Sequence, residues 1–542
     1  MEEPFNFSRP MDNYITCGRC KKLEYMPSKV IGEGSNSTTV YEGRFETIPV
    51  AVKQIRWDNF KGITAKALKK EPREEDINEA KILRQYEHEN VIRYYLLDHD
   101  DRGFIYLALE LCKGNLAEFL EFGKPDKLPE DISREVVKKH LLKGMLEGLH
   151  YLHGVGIIHN DLKPQNILLK ESRIYTHYKF IAVISDFGMS LVIDDGRNSK
   201  TAIENLIGTK GWRPKEVVNR LEELSKQNYR PSMTADERTP ENEGGKIKGT
   251  KKVDIFAFGC IIQYVMVENT RRGRIWKMHP FGDENVREDK IKSDSRVAYI
   301  SRVMSPKNLK LDYILADMLV GLCINEEPQC RPNTEEIKNH PFFWESNSRY
   351  KFVEISANKL KGINFQDDNK DLLTNLQKIW QEFHPWSYEQ EIKDAVTYRR
   401  EYHSSINSKQ RGQKPFNEDK LFEVVDLLKD IRNIKQHFHE IDAKYDIASF
   451  LGEGTDEDFD RYFIQKILQL LPVLYTWCLY DVPREKMGVY NDFISRTEDQ
   501  TKIDLRKKVY WRTLEKILSW PGTAGGQNPK KKSRKRPPGQ SP

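Results

Sequence analysis

Polar and apolar residues alternate in three early stretches, SKVIGEG, TTVYEGRF and PVAVKQI, each closed by a turn signal; this period of two predicts strands. EEDINEAKILRQY then shifts to helical spacing, and beyond residue 130 the helical period dominates. That order predicts a small β-rich lobe followed by a larger helical one. Residues 217–252 begin as a helix and become polar and breaker-rich, so a mobile insertion is expected there. Helical spacing returns from Trp344 to Trp477, interrupted near YHSSINSKQRGQKPFNED. RYFIQKILQLLPVLYTW reads as a core helix, since Lys466 and the glutamines unsuit it to lipid. After Asp481 a connecting segment, with helical spacing in RKKVYWRTLEKILSW, leads into PGTAGGQNPKKKSRKRPPGQSP, whose composition is that of a disordered tail.

One helical stretch carries more than core pattern. In LLKDIRNIKQHFHE, Leu427, Ile431, Ile434 and Phe438 share one face, while Asp426, Asn433 and His437 form an adjacent stripe with Arg432 beside it. An imidazole can shuttle a proton, a guanidinium can balance phosphate charge, and an amide and a carboxylate can orient both. The set suits metal-independent phosphodiester chemistry. His439 points about 200° away and is a poor second catalyst. On geometry alone, an ordinary surface histidine among ion pairs explains the stripe better.

Length and composition narrow the classes. The 542 residues exceed one hydrophobic core and predict two or three domains. With 38% apolar and 31% charged residues and a mean hydropathy of −0.70, the chain reads as globular with some loose polar segments. It has no apolar run long enough to span a membrane and no signal-peptide pattern. Seven scattered cysteines suit a reducing compartment, and the lone CxxC of Cys17 and Cys20 reads as two free thiols. The formal charge of +6 is carried entirely by Lys530, Lys531, Lys532, Arg534, Lys535 and Arg536, so charge gives no sign that the folded body binds nucleic acid. The expected location is cytoplasmic. The basic tail adds the options of nuclear import or a nonspecific RNA-holding arm, beside that of a solvated end with no role.

The β-rich lobe carries a candidate phosphate site. IGEGSNSTTVYEG places Gly32 and Gly34 where backbone amides can approach phosphate, although Ser37 takes the usual third glycine position. Lys53 in VAVK can bridge the α- and β-phosphates, with Glu79 placed to hold it. ALELC offers Leu109 as gatekeeper and the backbone of Glu110 and Cys112 to an adenine edge. HNDLKPQNIL supplies Asp161 to accept the substrate hydroxyl proton, Lys163 to steady the phosphoryl group and Asn166 to hold magnesium; SDFG supplies Asp186 as the second magnesium ligand.

In this order the motifs resemble the eukaryotic protein kinase family over residues 25–344. The resemblance adds Val40 and Ala51 to the nucleotide site and implies ATP or ADP with Mg2+ as cofactors. It also puts Asp254 and Arg331 where the family ties its helical lobe together. Two positions depart. Asn160 replaces the arginine that pairs with a phosphorylated activation segment, and the element at Pro214–Glu216 reads PKE. Ser199, Thr201 and Thr209 offer sites for self-phosphorylation; an unmodified solvated loop is the equal alternative.

DLLKDIRNIKQH, following a kinase that ends in HPFFW, is similar to the signature of the kinase-extension ribonuclease domain shared by the inositol-requiring unfolded-protein sensor and ribonuclease L. FVEIS, EDFDRYF, SDFGMS, GTKGW and MHPFG add to that likeness. It implies RNA cleavage by the ribose 2′-hydroxyl, with His437 as general acid or base, Arg432 and Asn433 at the phosphate and Asp426 in support. It also implies nucleotide-favoured back-to-back dimers or higher oligomers. The sensors carry a catalytic tyrosine where ungapped counting gives Asp419. The kinase begins about 25 residues into this sequence, with neither a lumenal nor an ankyrin sensor in it; if the chain is complete, nucleotide, a partner or self-association is the expected trigger.

The expected architecture is an α+β bilobal protein kinase fold followed by an all-α ribonuclease extension. Its parts are an N-terminal segment 1–24, a kinase domain 25–344, an extension 345–482, a connecting segment 483–520 and a basic tail 521–542. The expected function is a nucleotide-regulated endoribonuclease coupled to a Ser/Thr kinase. One alternative is a Ser/Thr kinase whose helical domain is only an interaction module, and another is a kinase fold that senses nucleotide without transferring phosphate.

Overall fold

The computed structural model describes residues 14–34, 38–56, 77–122, 134–172, 180–193, 199–203, 208–226, 246–267, 269–271, 274–276, 278–294, 310–361, 370–382, 424–467, 469–482, 488–494 and 500–518, together with 296, 300, 396 and 399. The chain forms two compact units, Met1–Ala298 with Cys323–Lys338, and Tyr299–Leu322 with Asn339–Pro542. The division falls near the expected boundary at 344, but it gives residues 299–322 to the second unit.

The first unit opens with a six-stranded antiparallel sheet of order β1-β2-β3-β4-β6-β5. Its strands are β1 (Ile15–Cys17), β2 (Leu23–Gly34), β3 (Thr38–Phe45), β4 (Ile48–Arg56), β5 (Tyr94–His99) and β6 (Phe104–Glu110). Leu23, Val50, Val52, Tyr106 and Ala108 fill one face of it. Gly43 of β3 lies close against β2: a Cβ there would lie 2.3 Å from the Glu24 carbonyl. Helix α1 (Asn78–Gln85) buries Ala80, Ile82 and Leu83, and it buries Glu79 with them.

The helical part of this unit is built around Lys251–Met266, in which Val253 to Met266 are all buried, the pattern of a helix apolar all round. Its buried Asp254 accepts hydrogen bonds from the backbone N–H groups of His159 (2.8 Å) and Asn160 (2.7 Å), and its other contact is the His153 ring at 2.9 Å. Arg331 forms a two-pronged ion pair with Glu216, the last residue of the PKE element, at 2.7 and 2.8 Å. Within the expected mobile insertion, the start is the helix Lys215–Lys226 and the end is a strand, Lys246–Thr250, paired antiparallel with Ser199–Ile203. Residues 227–245 lie outside the described residues.

The second unit is built of helices, with no strand among its described residues. Helices Ser346–Lys361 and Val424–Gln436 pack together, and Leu470–Tyr480 is buried along its whole length. RYFIQKILQLLPVLYTW is not one helix. A π-turn at Asp460–Ile464 precedes a new helix at Leu470, with Pro472 in its first turn, where a missing N–H leaves no bond unmade. Among the described residues no helix is long and apolar enough to cross a membrane. The segment expected to connect is the helix Gln500–Leu518, and it belongs to this core. Ile503, Tyr510 and Leu514 are buried, and Tyr510 stacks on His340 at 6.2 Å. A Cβ on Gly321 would come within 2.9 Å of the Thr513 hydroxyl. The basic tail lies outside the described residues.

Candidate functional site

Three elements of the first unit converge on one ammonium. Lys53, on β4, donates from Nζ to Glu79 of α1 at 2.7 Å and to Asp186 at 2.8 Å. Burial would pull this lysine down, but the two carboxylates outweigh it and hold it charged, above its ordinary range. Asp186 is held below the usual carboxylate range, chiefly by the Lys53 charge. Its backbone is left-handed (φ 66°), and the other oxygen of Glu79 accepts the next N–H, that of Phe187, at 3.3 Å. These bonds set the Asp186 carboxylate facing Lys53.

Register fixes the adenine side. Val40 pairs with Lys53, and Ala51 with Leu109, so β3, β4 and β6 bring the predicted residues side by side. The N–H of Glu110 is occupied by the Arg93 carbonyl at 2.9 Å, whereas that of Cys112 finds no partner among the described residues. Of the two, it is the Cys112 N–H that is open to an adenine edge. Gly32 and Gly34 end β2 opposite Val40 and Thr38, and residues 35–37 of the loop lie outside the described residues.

Asp161 is the most heavily bonded group in the cleft. Its Oδ1 accepts from the Thr209 N–H (2.6 Å) and hydroxyl (2.7 Å), and its Oδ2 from Lys163 (2.9 Å) and Asn166 (3.1 Å). Lys163 also donates to the Thr209 hydroxyl at 2.6 Å. Thr209, expected as a phosphorylation site, is thus bonded into the catalytic cluster. Asn160 sits at φ 68°, a conformation asparagine tolerates better than most residues, and its amide donates to the Met189 carbonyl at 3.3 Å. Both protons of the Asn166 amide are taken by Asp161, by its carbonyl and its carboxylate, which leaves the Asn166 amide oxygen as a ligand. That oxygen and the Asp186 carboxylate are the hard donors magnesium accepts, so the residues fit the ion.

The second candidate site lies on Val424–Gln436 and just past it. Leu427, Ile431, Ile434 and Phe438 are buried, as their spacing predicts. The helix was expected to run on through His437, but it ends at Gln436; His437 stands at the junction with Phe438–Tyr445, and its N–H still donates to the Asn433 carbonyl at 3.1 Å. The His437 side chain is about half exposed, 3.7 Å from Glu440. Arg432 is buried and donates from Nε (3.1 Å) and Nη2 (2.7 Å) to the Asn433 amide oxygen, and from Nη1 to that of Asn358 (3.1 Å). Asp426 does not join this group. Its pairing, at 3.4 Å, is with Lys429. Asp419 lies outside the described residues. No cluster of three or more His, Cys, Asp or Glu able to hold a metal occurs among the described residues, and Cys17 and Cys20 are free thiols.

Residues 25–343 match the family described as protein kinase domain. The chain belongs to the protein kinase family. Beyond the kinase domain, residues 349–491 match the family described as Ribonuclease 2-5A. Similar proteins include the serine/threonine-protein kinase/endoribonuclease ire-1 of Caenorhabditis elegans, 29% identical over 84% of this chain and 39% of its own length. Another is the human serine/threonine-protein kinase/endoribonuclease IRE2, at 28% over 83% and 40%. A third is the sensor for unfolded proteins in the ER, ire1, of Schizosaccharomyces pombe, at 28% over 82% and 37%. The chain spans about two-fifths of the length of these relatives.

Two residues have roles that sequence reading missed, Thr209 in the kinase domain and Asn358 in the extension. Thr209 carried a signal, since GTKGW is part of the motif set, but its role in the cluster needed geometry. Asn358 carried none: it lies 74 residues from Arg432.

Proposed function

We propose that this chain couples a Ser/Thr kinase that binds ATP or ADP with Mg2+ to a metal-independent endoribonuclease. The observation that carries the reading is the pairing, in one chain, of an assembled kinase cleft with the Arg432, Asn433 and His437 group, inside a region matched to Ribonuclease 2-5A.

In the kinase cleft, Lys53 holds the α- and β-phosphates and Asp186 and Asn166 hold the ion, which would offset charge developing on the γ-phosphate. Asp161 accepts the hydroxyl proton of the protein substrate as its oxygen bonds to phosphorus and the β–γ bond breaks; Lys163 steadies the transferred group. In the extension, His437 moves a proton while the ribose 2′-oxygen bonds to the adjacent phosphorus and the 5′-oxygen leaves, giving a 2′,3′-cyclic phosphate and a 5′-hydroxyl. Arg432 balances the charge of that phosphate. Nucleotide in the kinase cleft favours dimers or higher oligomers in which the ribonuclease works.

The test is cleavage of a fluorescent stem-loop RNA in EDTA, at concentrations that permit dimers, with and without ADP. Wild-type cleavage that His437→Ala abolishes supports the ribonuclease half. The kinase half is tested by transfer of labelled phosphate from magnesium ATP to the chain, which Asp161→Asn should abolish, and transfer by neither protein leaves a fold that senses nucleotide without transferring phosphate. Cleavage by neither wild type nor mutant at any concentration returns the extension to an interaction module.

A further inference from the structure

Arg432 differs from the other cations around it. Lys429, Lys435, Arg461 and Arg349 each pair with an acid: Asp426, Asp456, Asp458 and Asp312. Arg432 is 5% exposed, and its hydrogen-bond acceptors among the described residues are neutral amide oxygens, those of Asn433 and Asn358. No carboxylate pairs with it among those residues. A buried guanidinium without a counter-ion is costly and persists where the fold enforces it or an anion completes it. One further N–H on each of its terminal nitrogens has no partner among the described residues, so a two-pronged anion contact is open to it.

Asn358 is exposed, on the helix Ser346–Lys361 that packs against Val424–Gln436, and its backbone is anchored on either side by buried Ala357 and Leu360; two residues earlier the Ser356 hydroxyl is tied to the Phe352 carbonyl at 2.8 Å. An amide oxygen orients a guanidinium while leaving its charge intact, which a carboxylate in the same place does not.

We propose that Asn358 is a positioning residue that fixes the Arg432 guanidinium through a neutral contact, so that its full charge meets the phosphodiester of an RNA substrate. This rests on the ribonuclease reading above. The two substitutions that separate orientation from charge are Asn358→Ala, which removes the acceptor, and Asn358→Asp, which keeps its shape and adds a negative charge.

The experiment uses the full chain as wild type, Asn358→Ala, Asn358→Asp and His437→Ala. It measures cleavage of an unmodified stem-loop RNA in EDTA, anisotropy binding of the same RNA fully 2′-O-methylated across about 50 to 200 mM salt, and thermal melting. Asn358→Asp is expected to melt no lower than wild type and to lose about tenfold or more in kcat/KM, chiefly in KM. Its plot of log affinity against log salt should be shallower by about 0.7 to 0.9, one phosphate contact's worth. Asn358→Ala loses less and keeps the wild-type salt slope. Wild-type cleavage and salt slope in Asn358→Asp, or a loss explained by a lower melting temperature, overturns the positioning role while leaving the ribonuclease reading standing. A wild type that does not cleave, indistinguishable from His437→Ala, overturns that reading and this proposal with it.

Discussion

Thr209→Val is the sharpest probe of the kinase cleft, because it keeps the side-chain volume and deletes one hydroxyl. That hydroxyl donates to Asp161 at 2.7 Å and accepts from Lys163 at 2.6 Å. The Thr209 backbone bond to Asp161 (2.6 Å) survives, as does the Lys163–Asp161 ion pair (2.9 Å), so neither charge is stranded. A hydrogen bond to a charged group contributes about 1.5–3 kcal/mol. Losing roughly 2–3 kcal/mol of orientation in the transition state, at about 1.36 kcal/mol per factor of ten, slows transfer roughly 30- to 150-fold. The assay is the initial rate of labelled phosphate transfer from magnesium ATP to the chain itself and to a serine peptide. A thermal shift with ADP serves as control and should be unchanged, since Lys53, Asp186 and Asn166 are untouched. Thr209→Ser should recover most of the rate. A wild-type rate in Thr209→Val, or activation by Thr209→Glu, would refute the reasoning and restore Thr209 as a modification site.

Two further expectations concern stability. Glu216→Ala leaves the fully buried Arg331 without its carboxylate, which costs about 3 kcal/mol; calorimetry should show the kinase unit melting roughly 6 °C lower. His340 is buried and held neutral, with its pKa pushed down to about 3 from 6.5. Between those values the unfolded chain binds a proton that the folded chain refuses, so stability falls as pH drops below 6.5, by about 2 kcal/mol at pH 5. Urea midpoints at pH 7.5 and 5 should differ less in His340→Asn, which keeps an acceptor for the Phe342 N–H, than in wild type; an equal difference refutes the assignment.

The kinase cleft was legible because its chemistry fixes residue type and spacing together: Lys53, Glu79, Asp161 and Asp186 could be named from motifs and meet as those motifs require. The stripe of Leu427, Ile431, Ile434 and Phe438 was equally plain, since burial follows helical period. The helix break at His437 was not, as no glycine or proline marks it. Pro472 did mark the break before Leu470, and a long apolar run masked it. Contacts across distant segments left no local trace, among them Asn358 with Arg432 and the pairing of Ser199–Ile203 with Lys246–Thr250. Backbone pairing of that kind holds part of the activation segment in a kinase that has asparagine at position 160.

The helix Gln500–Leu518 has a consequence for how this protein is made. Both family matches are complete by residue 491, yet Gly321 seats Thr513 and His340 seats Tyr510, so the second unit is closed by residues that lie beyond both matches. A nascent chain halted after residue 491 would carry every residue assigned to either chemistry and still hold an unfinished apolar surface open to aggregation. Folding of the ribonuclease-like unit is therefore tied to the emergence of residues 500–518, and a cut between residues 491 and 500 removes part of its core.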